Sequence, residues 1–158
     1  MGDEMEKGIF IEDLDKNDIV SLLEMIIDFK QESDNKLSED NIRQIKTALV
    51  EVQSTENSII LVAKDKNSII GYICAHNVNF PLIMGKECYI TDLIVSKSCR
   101  DLGVGSKLLK KLEIKSKESG CKRMMLNNPK EYDSYRRKYY AKQGFDERDN
   151  FANFCKIL

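Results

Sequence analysis

The sequence predicts a mixed α/β fold: one central sheet of about six or seven strands with helices on both faces. Three observations predict it. Two β-rich runs at 58–65 and 68–80 are separated only by a short polar turn, which implies an antiparallel hairpin. The run from 87 to 127 reads strand, helix, strand, which implies a parallel pair. The composition, 42% hydrophobic and 32% charged over 158 residues, suits one globular domain spanning 1–158, with no repeat and no linker.

Each element has its own signal. "GIFIEDL" (8–14) alternates apolar and polar residues and reads as a first strand. In 15–31, Ile19, Leu22, Leu23, Ile26 and Ile27 recur at helical spacing behind a cap at Asp15 or Asn17. In 38–52, Ser38 caps a helix whose stripe is Ile42, Ile45 and Leu49. "SIILVAKD" (58–65) and "SIIGYICAHNVNF" (68–80) are the hairpin strands, with a turn at "KN" and Gly71 marking a bulge; Pro81 ends the second. "ECYITDLIVS" (87–96) is the most β-branched segment and belongs inside the sheet. A helix over 103–119 stops at Gly120, and "CKRMMLN" (121–127) is a strand. Pro129 breaks the chain before a helix over 131–143 that closes at Gly144. "FDER" (145–148) and "FANFCKIL" (151–158) read as two final short strands around a turn at Asp149 and Asn150.

The bulk numbers exclude several functions. A net charge of −1 lacks the basic excess of a general nucleic-acid binder. No apolar run approaches the roughly 18 residues of a membrane span. "MGDEMEKG" has neither the basic nor the apolar region of a signal peptide, and Glu6 stands where a myristoylation signal following Gly2 needs Ser or Thr. Cys74, Cys88, Cys99, Cys121 and Cys155 are odd in number and contain no C-x-x-C, so they read as reduced thiols of a cytoplasmic protein.

The most informative stretch is "CRDLGVGSKLL" (99–109), where two glycines stand between a strand and a helix. A helix N-terminus has free N–H groups and attracts anions. Glycine there permits positive φ and removes a Cβ that would hold a phosphate away, and Arg100 adds charge. Ser106 and Lys107 break the Walker spacing, and Leu108 replaces the third glycine of a dinucleotide fingerprint. A bare strand-to-helix turn is the plain alternative.

"R-D-L-G-V-G" fits the pattern Q/R-x-x-G-x-G/A and resembles the acetyl-CoA segment of the GCN5-related N-acetyltransferase (GNAT) superfamily. "KYYAKQGFDE" (138–147), about forty residues later, resembles that family's second signature, with Tyr140 four residues before Gly144. The element order agrees along most of the chain, so the resemblance implies a GNAT-type sheet. It implies a strand that splays from its neighbour, helped by a bulge. The pantetheine arm would pair with backbone at Ile94 and Val95. The pyrophosphate would rest on N–H groups across Arg100, Asp101, Leu102, Gly103, Val104, Gly105 and Ser106, with Leu102 and Val104 as packing side chains. Tyr140 would protonate the departing thiolate, and a carboxylate, Asp92 or else Glu87, would take the amine proton. Relatives often carry Asn or an Ala-His pair where this chain has Asp133, Arg136 and Arg137.

The resemblance therefore implies acetyl transfer from acetyl-CoA to a primary amine on a small molecule or a protein, by direct attack in a ternary complex. It needs no metal, nucleic acid or membrane, and homodimers are common in such a family. The alternative is a non-catalytic acyl-CoA-binding module of the same fold. Cys74 and His76 share a strand face, but a metal needs more ligands than that pair supplies. The acidic run 31–40, with Glu32, Asp34, Glu39 and Asp40, reads equally as a polar loop kept soluble by charge or, since the resemblance implies that the first two helices flank the acceptor site, as a rim that would concentrate cationic acceptors.

Overall fold

The computed structural model describes residues 8–32, 36–66 and 68–158. The N-terminal segment with Gly2 and Glu6, and Asp34 and Asn67, lie outside the described residues. The chain divides into two units, one ending at Leu126 and one spanning Asn127–Leu158.

In the first unit the order is β1 (Ile9–Asp13), α1 (Ile19–Gln31), α2 (Glu39–Ser54), β2 (Ser58–Asp65), β3 (Ser68–Phe80), β4 (Gly85–Val95), α3 (Val104–Glu118) and β5 (Cys121–Leu126). The strands form one sheet in the order β1-β2-β3-β4-β5. Neighbours through β4 are antiparallel, and β4 with β5 is parallel, as the two connection types require. The caps act as expected. Asp15 accepts from the Asn17 N–H at 2.8 Å and starts a 3-10 turn ahead of α1. Ser38 and Asn41 form a reciprocal capping box at α2, each bond 3.1 Å.

Strand alternation gives the sheet two apolar faces. Ile60, Val62, Tyr72 and Cys74 pack with Leu22, Leu23, Met25, Ile26 and Leu49 of α1 and α2. Gly71 lies on the opposite face, under α3. A Cβ at Gly71 would meet Val104 Cγ1 at 3.2 Å and the Ile94 carbonyl at 3.1 Å, so the missing side chain sets how closely α3 approaches. Val104, Leu108 and Leu112 line that contact and are at most 1% exposed. Each such side chain contributes about 1.5–3 kcal/mol by burial. The bulge expected at Gly71 falls beside it, where Ala63 pairs with Gly71 but Lys64 pairs with Ile69.

Two expectations need correction. The sheet has five strands among the described residues, not six or seven: 145–148 and 151–158 have no ladder, and 151–158 is exposed throughout. Alternation marks which face a strand would bury; it does not supply a partner for the backbone groups. The helix expected over 131–143 is two short pieces, α4 (Asp133–Arg136) and α5 (Tyr139–Lys142), in the second unit. Lys138 between them has φ +53°, a left-handed conformation that interrupts the helix. Gly144 ends α5 as expected, with Phe145 N–H donating to the Tyr140 carbonyl at 3.0 Å.

Candidate active site

The site begins where β4 leaves the sheet. Its ladder with β3 continues to Gly71↔Val95, but its ladder with β5 ends at Ile90↔Leu126. Thr91–Val95 is therefore held along one edge and lies beyond the last β5 pair on the other. This stretch contains the two backbone positions singled out from the sequence, Ile94 and Val95. A bulge at Thr91 precedes them, since Ala75 pairs with Ile90 while Cys74 pairs with Asp92.

A 3-10 turn (Lys97–Cys99) leads into the loop, where Asp101 and Gly103 have φ +63° and +76°. Gly103 is the N-cap of α3, and a Cβ built there would meet nothing within 4 Å. The glycine is thus required by its backbone angle rather than by crowding, and the space outside it is open. The first helical bond runs from Lys107 N–H to the Gly103 carbonyl at 3.0 Å. The N–H groups of Val104, Gly105 and Ser106 precede it, so the helix itself offers them no acceptor. Gly103 has no side chain with which to cap this end, and the first turn of the helix holds no acidic residue. Those donors and the positive end of the helix dipole suit an anion. Val104 is buried as expected; Leu102, expected to pack, is 61% exposed, because its flanking left-handed residues turn it outward.

Arg100 sits at the loop's start. Its Nε donates to the Val95 carbonyl at 3.2 Å, and its Nη2 pairs with Glu32 Oε2 at 3.2 Å. Glu32, Glu24 and Asp28 repeat at four-residue spacing along α1 and edge a cavity of about 740 Å³, which Ile69, Ile94 and Lys97 also line. Among the described residues of the acidic rim expected over 31–40, Glu32 lines this cavity. Glu39 and Asp40 occupy the first turn of α2, where Asp40 pairs with Arg43 at 2.9 Å. Glu24 and Asp28 escaped notice, although their i, i+4 spacing on the polar side of α1 was a readable signal.

Asp92 is half-buried and accepts from the Thr91 hydroxyl at 3.1 Å. Its charge adds to burial, the larger cause, in raising the Tyr72 phenol and in pushing the Cys74 thiol up to about 11. Asp92 is paired directly with Cys74, so it faces the same side of the sheet as Cys74 and Tyr72. Glu87 is held by Arg123 Nε at 2.6 Å, so it is not simply solvated. His76 Nδ1 meets Ser58 Oγ at 2.8 Å, with Nε2 3.9 Å from Cys74 Sγ. At its raised pKa that thiol stays protonated, unlike an activated nucleophile. Among the described residues no group of three or more His, Cys, Asp or Glu side chains is arranged to hold a metal, and no helix is long and apolar enough to cross a membrane.

In the second unit, Tyr140 packs edge-on against Tyr139 and Phe145, with ring centroids 5.1 and 5.8 Å away. Burial, with a smaller contribution from Tyr139, pushes its phenol up to about 12. It therefore holds its proton across the physiological range. Arg137 pairs with Asp133 at 2.7 Å, and Arg136 donates to the Glu131 carbonyl at 2.6 Å.

The profile of the Acetyltransferase (GNAT) family matches residues 19–145, and the chain belongs to that family. No curated protein sequence matches it. Its fold is shared with a transcriptional regulator from Bacillus halodurans C-125, at 18% identity and TM-score 0.81, covering 96% of this chain and 100% of that one. An aminoglycoside acetyltransferase, meta-AAC0020 from an uncultured soil metagenomic sample, is solved in complex with sisomicin; it has 18% identity and TM-score 0.76, over 95% and 96% of the two chains. AAC(6')-Iy, solved with the bisubstrate analog CoA-S-monomethyl-acetylneamine, has 14% identity and TM-score 0.75, over 96% and 99%.

Proposed function

We propose that this GNAT-family chain is an N-acetyltransferase that moves the acetyl group of acetyl-CoA to a primary amine by direct attack in a ternary complex. The observation that carries the reading is the start of α3. Three N–H groups without a helical acceptor stand behind a residue whose missing Cβ leaves open space. That arrangement fits a pyrophosphate, cradled by the backbone of Arg100, Asp101, Leu102, Gly103, Val104, Gly105 and Ser106. The stretch of β4 at Ile94 and Val95 beyond the β5 ladder, where Arg100 Nε already holds the Val95 carbonyl, fits the pantetheine arm.

In this reading Asp92 takes the proton that an ammonium group must lose before it attacks. Asp92 is preferred to Glu87, whose carboxylate is already engaged by Arg123. Tyr140 returns a proton to the departing thiolate; its support is the Tyr140–Gly144 motif and a phenol that remains protonated. No metal enters these steps. The acceptor is a cationic small molecule or a protein amine, drawn to the cavity edged by Glu24, Asp28 and Glu32. The chain acts as one domain over 1–158, in the cytoplasm, as a monomer or homodimer, without nucleic acid or membrane. The family match at 19–145 runs across both units, which supports the single-domain part.

The second reading is a non-catalytic acyl-CoA-binding module, favoured by the fold likeness to a transcriptional regulator. Calorimetry with acetyl-CoA, using ATP and NADH as controls, followed by thiol release across an amine panel, tests both. Selective binding at micromolar strength, roughly −8 kcal/mol, followed by thiol release supports the enzyme. Binding without release across the panel supports the module, and absence of acetyl-CoA binding removes both.

A further inference from the structure

The Arg100–Glu32 contact joins two parts of the site that have separate tasks. Arg100 opens the glycine loop, and Glu32 edges the neighbouring cavity. The pair spans 68 positions of sequence, so only the fold creates it. Of the donors on the guanidinium, Nε is committed to the Val95 carbonyl, which anchors the side chain at the end of β4. The Nη2 contact is the exchangeable one. Its partner is a carboxylate at the C-terminal end of α1, where the helix dipole adds no stabilisation to a negative charge. Both side chains are close to 40% exposed, at 40% and 37%, so solvent and salt reach them and the pair is weak.

We propose that Glu32 is a displaceable counter-ion: it occupies Arg100 until a phosphate of the co-substrate takes its place. The proposal rests on the acetyl-CoA reading of the loop. A phosphate carries more charge than a carboxylate and offers oxygens that match the guanidinium fork, so it competes well for the same donors. The exchange has a second consequence. Once Arg100 turns to phosphate, the Glu32 carboxylate is returned to the cavity beside Glu24 and Asp28, and the pocket becomes more negative by one charge. Co-substrate binding thereby strengthens the cavity's attraction for a cationic amine, and by linkage the amine strengthens co-substrate binding.

The test is calorimetric titration of the full chain with acetyl-CoA and, separately, with S-acetylpantetheine, which carries no phosphate. Wild type, Glu32→Gln, Arg100→Gln and the double variant are compared, with circular-dichroism melts to confirm folding. Glu32→Gln is expected to bind acetyl-CoA about threefold to fivefold more tightly than wild type, the size set by an ion pair of this exposure. The gain disappears when Arg100 is also replaced, and S-acetylpantetheine shows none of it. Equal affinity in wild type and Glu32→Gln overturns the proposal while leaving the acetyl-CoA reading intact. Weaker binding in Glu32→Gln also overturns it, because Glu32 then positions Arg100 rather than competing for it. Failure of wild type to bind acetyl-CoA removes the underlying reading and this one with it.

Discussion

Replacing Gly103 separates two reasons for having glycine there. At φ +76° a residue with a Cβ costs about 1–2 kcal/mol of conformational strain. No clash adds to this, because a Cβ at that position meets nothing within 4 Å. Gly103→Ala should therefore lower stability by roughly 1 kcal/mol, or about 3 °C in Tm for a chain of this size. Gly103→Asn should recover part of that, since asparagine tolerates the left-handed region. Binding should behave differently. Any side chain at Gly103 occupies the open space beside the Val104–Ser106 donors, and losing one charge-assisted hydrogen bond there is worth about 1.5 kcal/mol, near tenfold in Kd. Acetyl-CoA affinity should thus fall by about tenfold or more in both variants, with no recovery in Gly103→Asn. Differential scanning calorimetry and titration calorimetry on the same samples give the two quantities. If affinity follows stability, so that Gly103→Asn binds like wild type, the glycine serves only the turn and the phosphate-cradle argument is wrong.

Two further predictions concern the proton steps. Asp92→Asn should lower kcat by about 10²–10⁴ while acetyl-CoA affinity stays within about twofold; if Glu87→Gln shows that loss and Asp92→Asn does not, the base has been misassigned. Tyr140→Phe should lower kcat by a similar factor, and the wild-type phenol, with its pKa raised to about 12, should remain protonated through pH 10. The sign follows from burial: the neutral form is favoured, so the proton donor is present below the raised pKa and lost only above it. A pH–rate profile of wild type with an alkaline limb near pH 9 that vanishes in Tyr140→Phe would contradict this.

Local patterns made most of the first unit legible. Capping by Ser38, the helical stripe of α1 and the β-branched run of β4 are each decided by neighbours in sequence; α2 and β4 fall within two residues of expectation, while α1 begins at Ile19, after a 3-10 turn over Lys16–Asp18. The glycine loop was readable for the same reason. What escaped was non-local or conformational. Lys138 is a good helix former by propensity, yet its left-handed backbone divides α4 from α5. The segment 151–158 alternates acceptably but has no ladder partner among the described residues. Arg100 was expected to serve an anion directly; that Glu32 already holds it depends on α1 lying beside the end of β4, which no spacing in the sequence encodes.

The bulge at Thr91 shows how one residue decides which face of β4 carries its carboxylate. Strict alternation would put Asp92 on the face of Cys88 and Ile90, both buried at 0% and 4% exposure. An unpaired carboxylate there would be costly. The extra residue shifts the register, so Asp92 pairs with Cys74 and Ile94 packs on the core beneath α1 and α2. The carboxylate then sits half-exposed on the face that also carries the cavity-lining Ile94. The ladder with β3 continues to Val95 while the ladder with β5 ends at Ile90, so this stretch is paired along one edge and lies beyond the last β5 pair on the other. A strand paired on both edges would have no backbone groups to offer a ligand, and a strand paired on neither would not hold Asp92 and the loop in fixed relation. On the proposed reading, the bulge and the one-sided pairing together meet both requirements within Thr91–Val95.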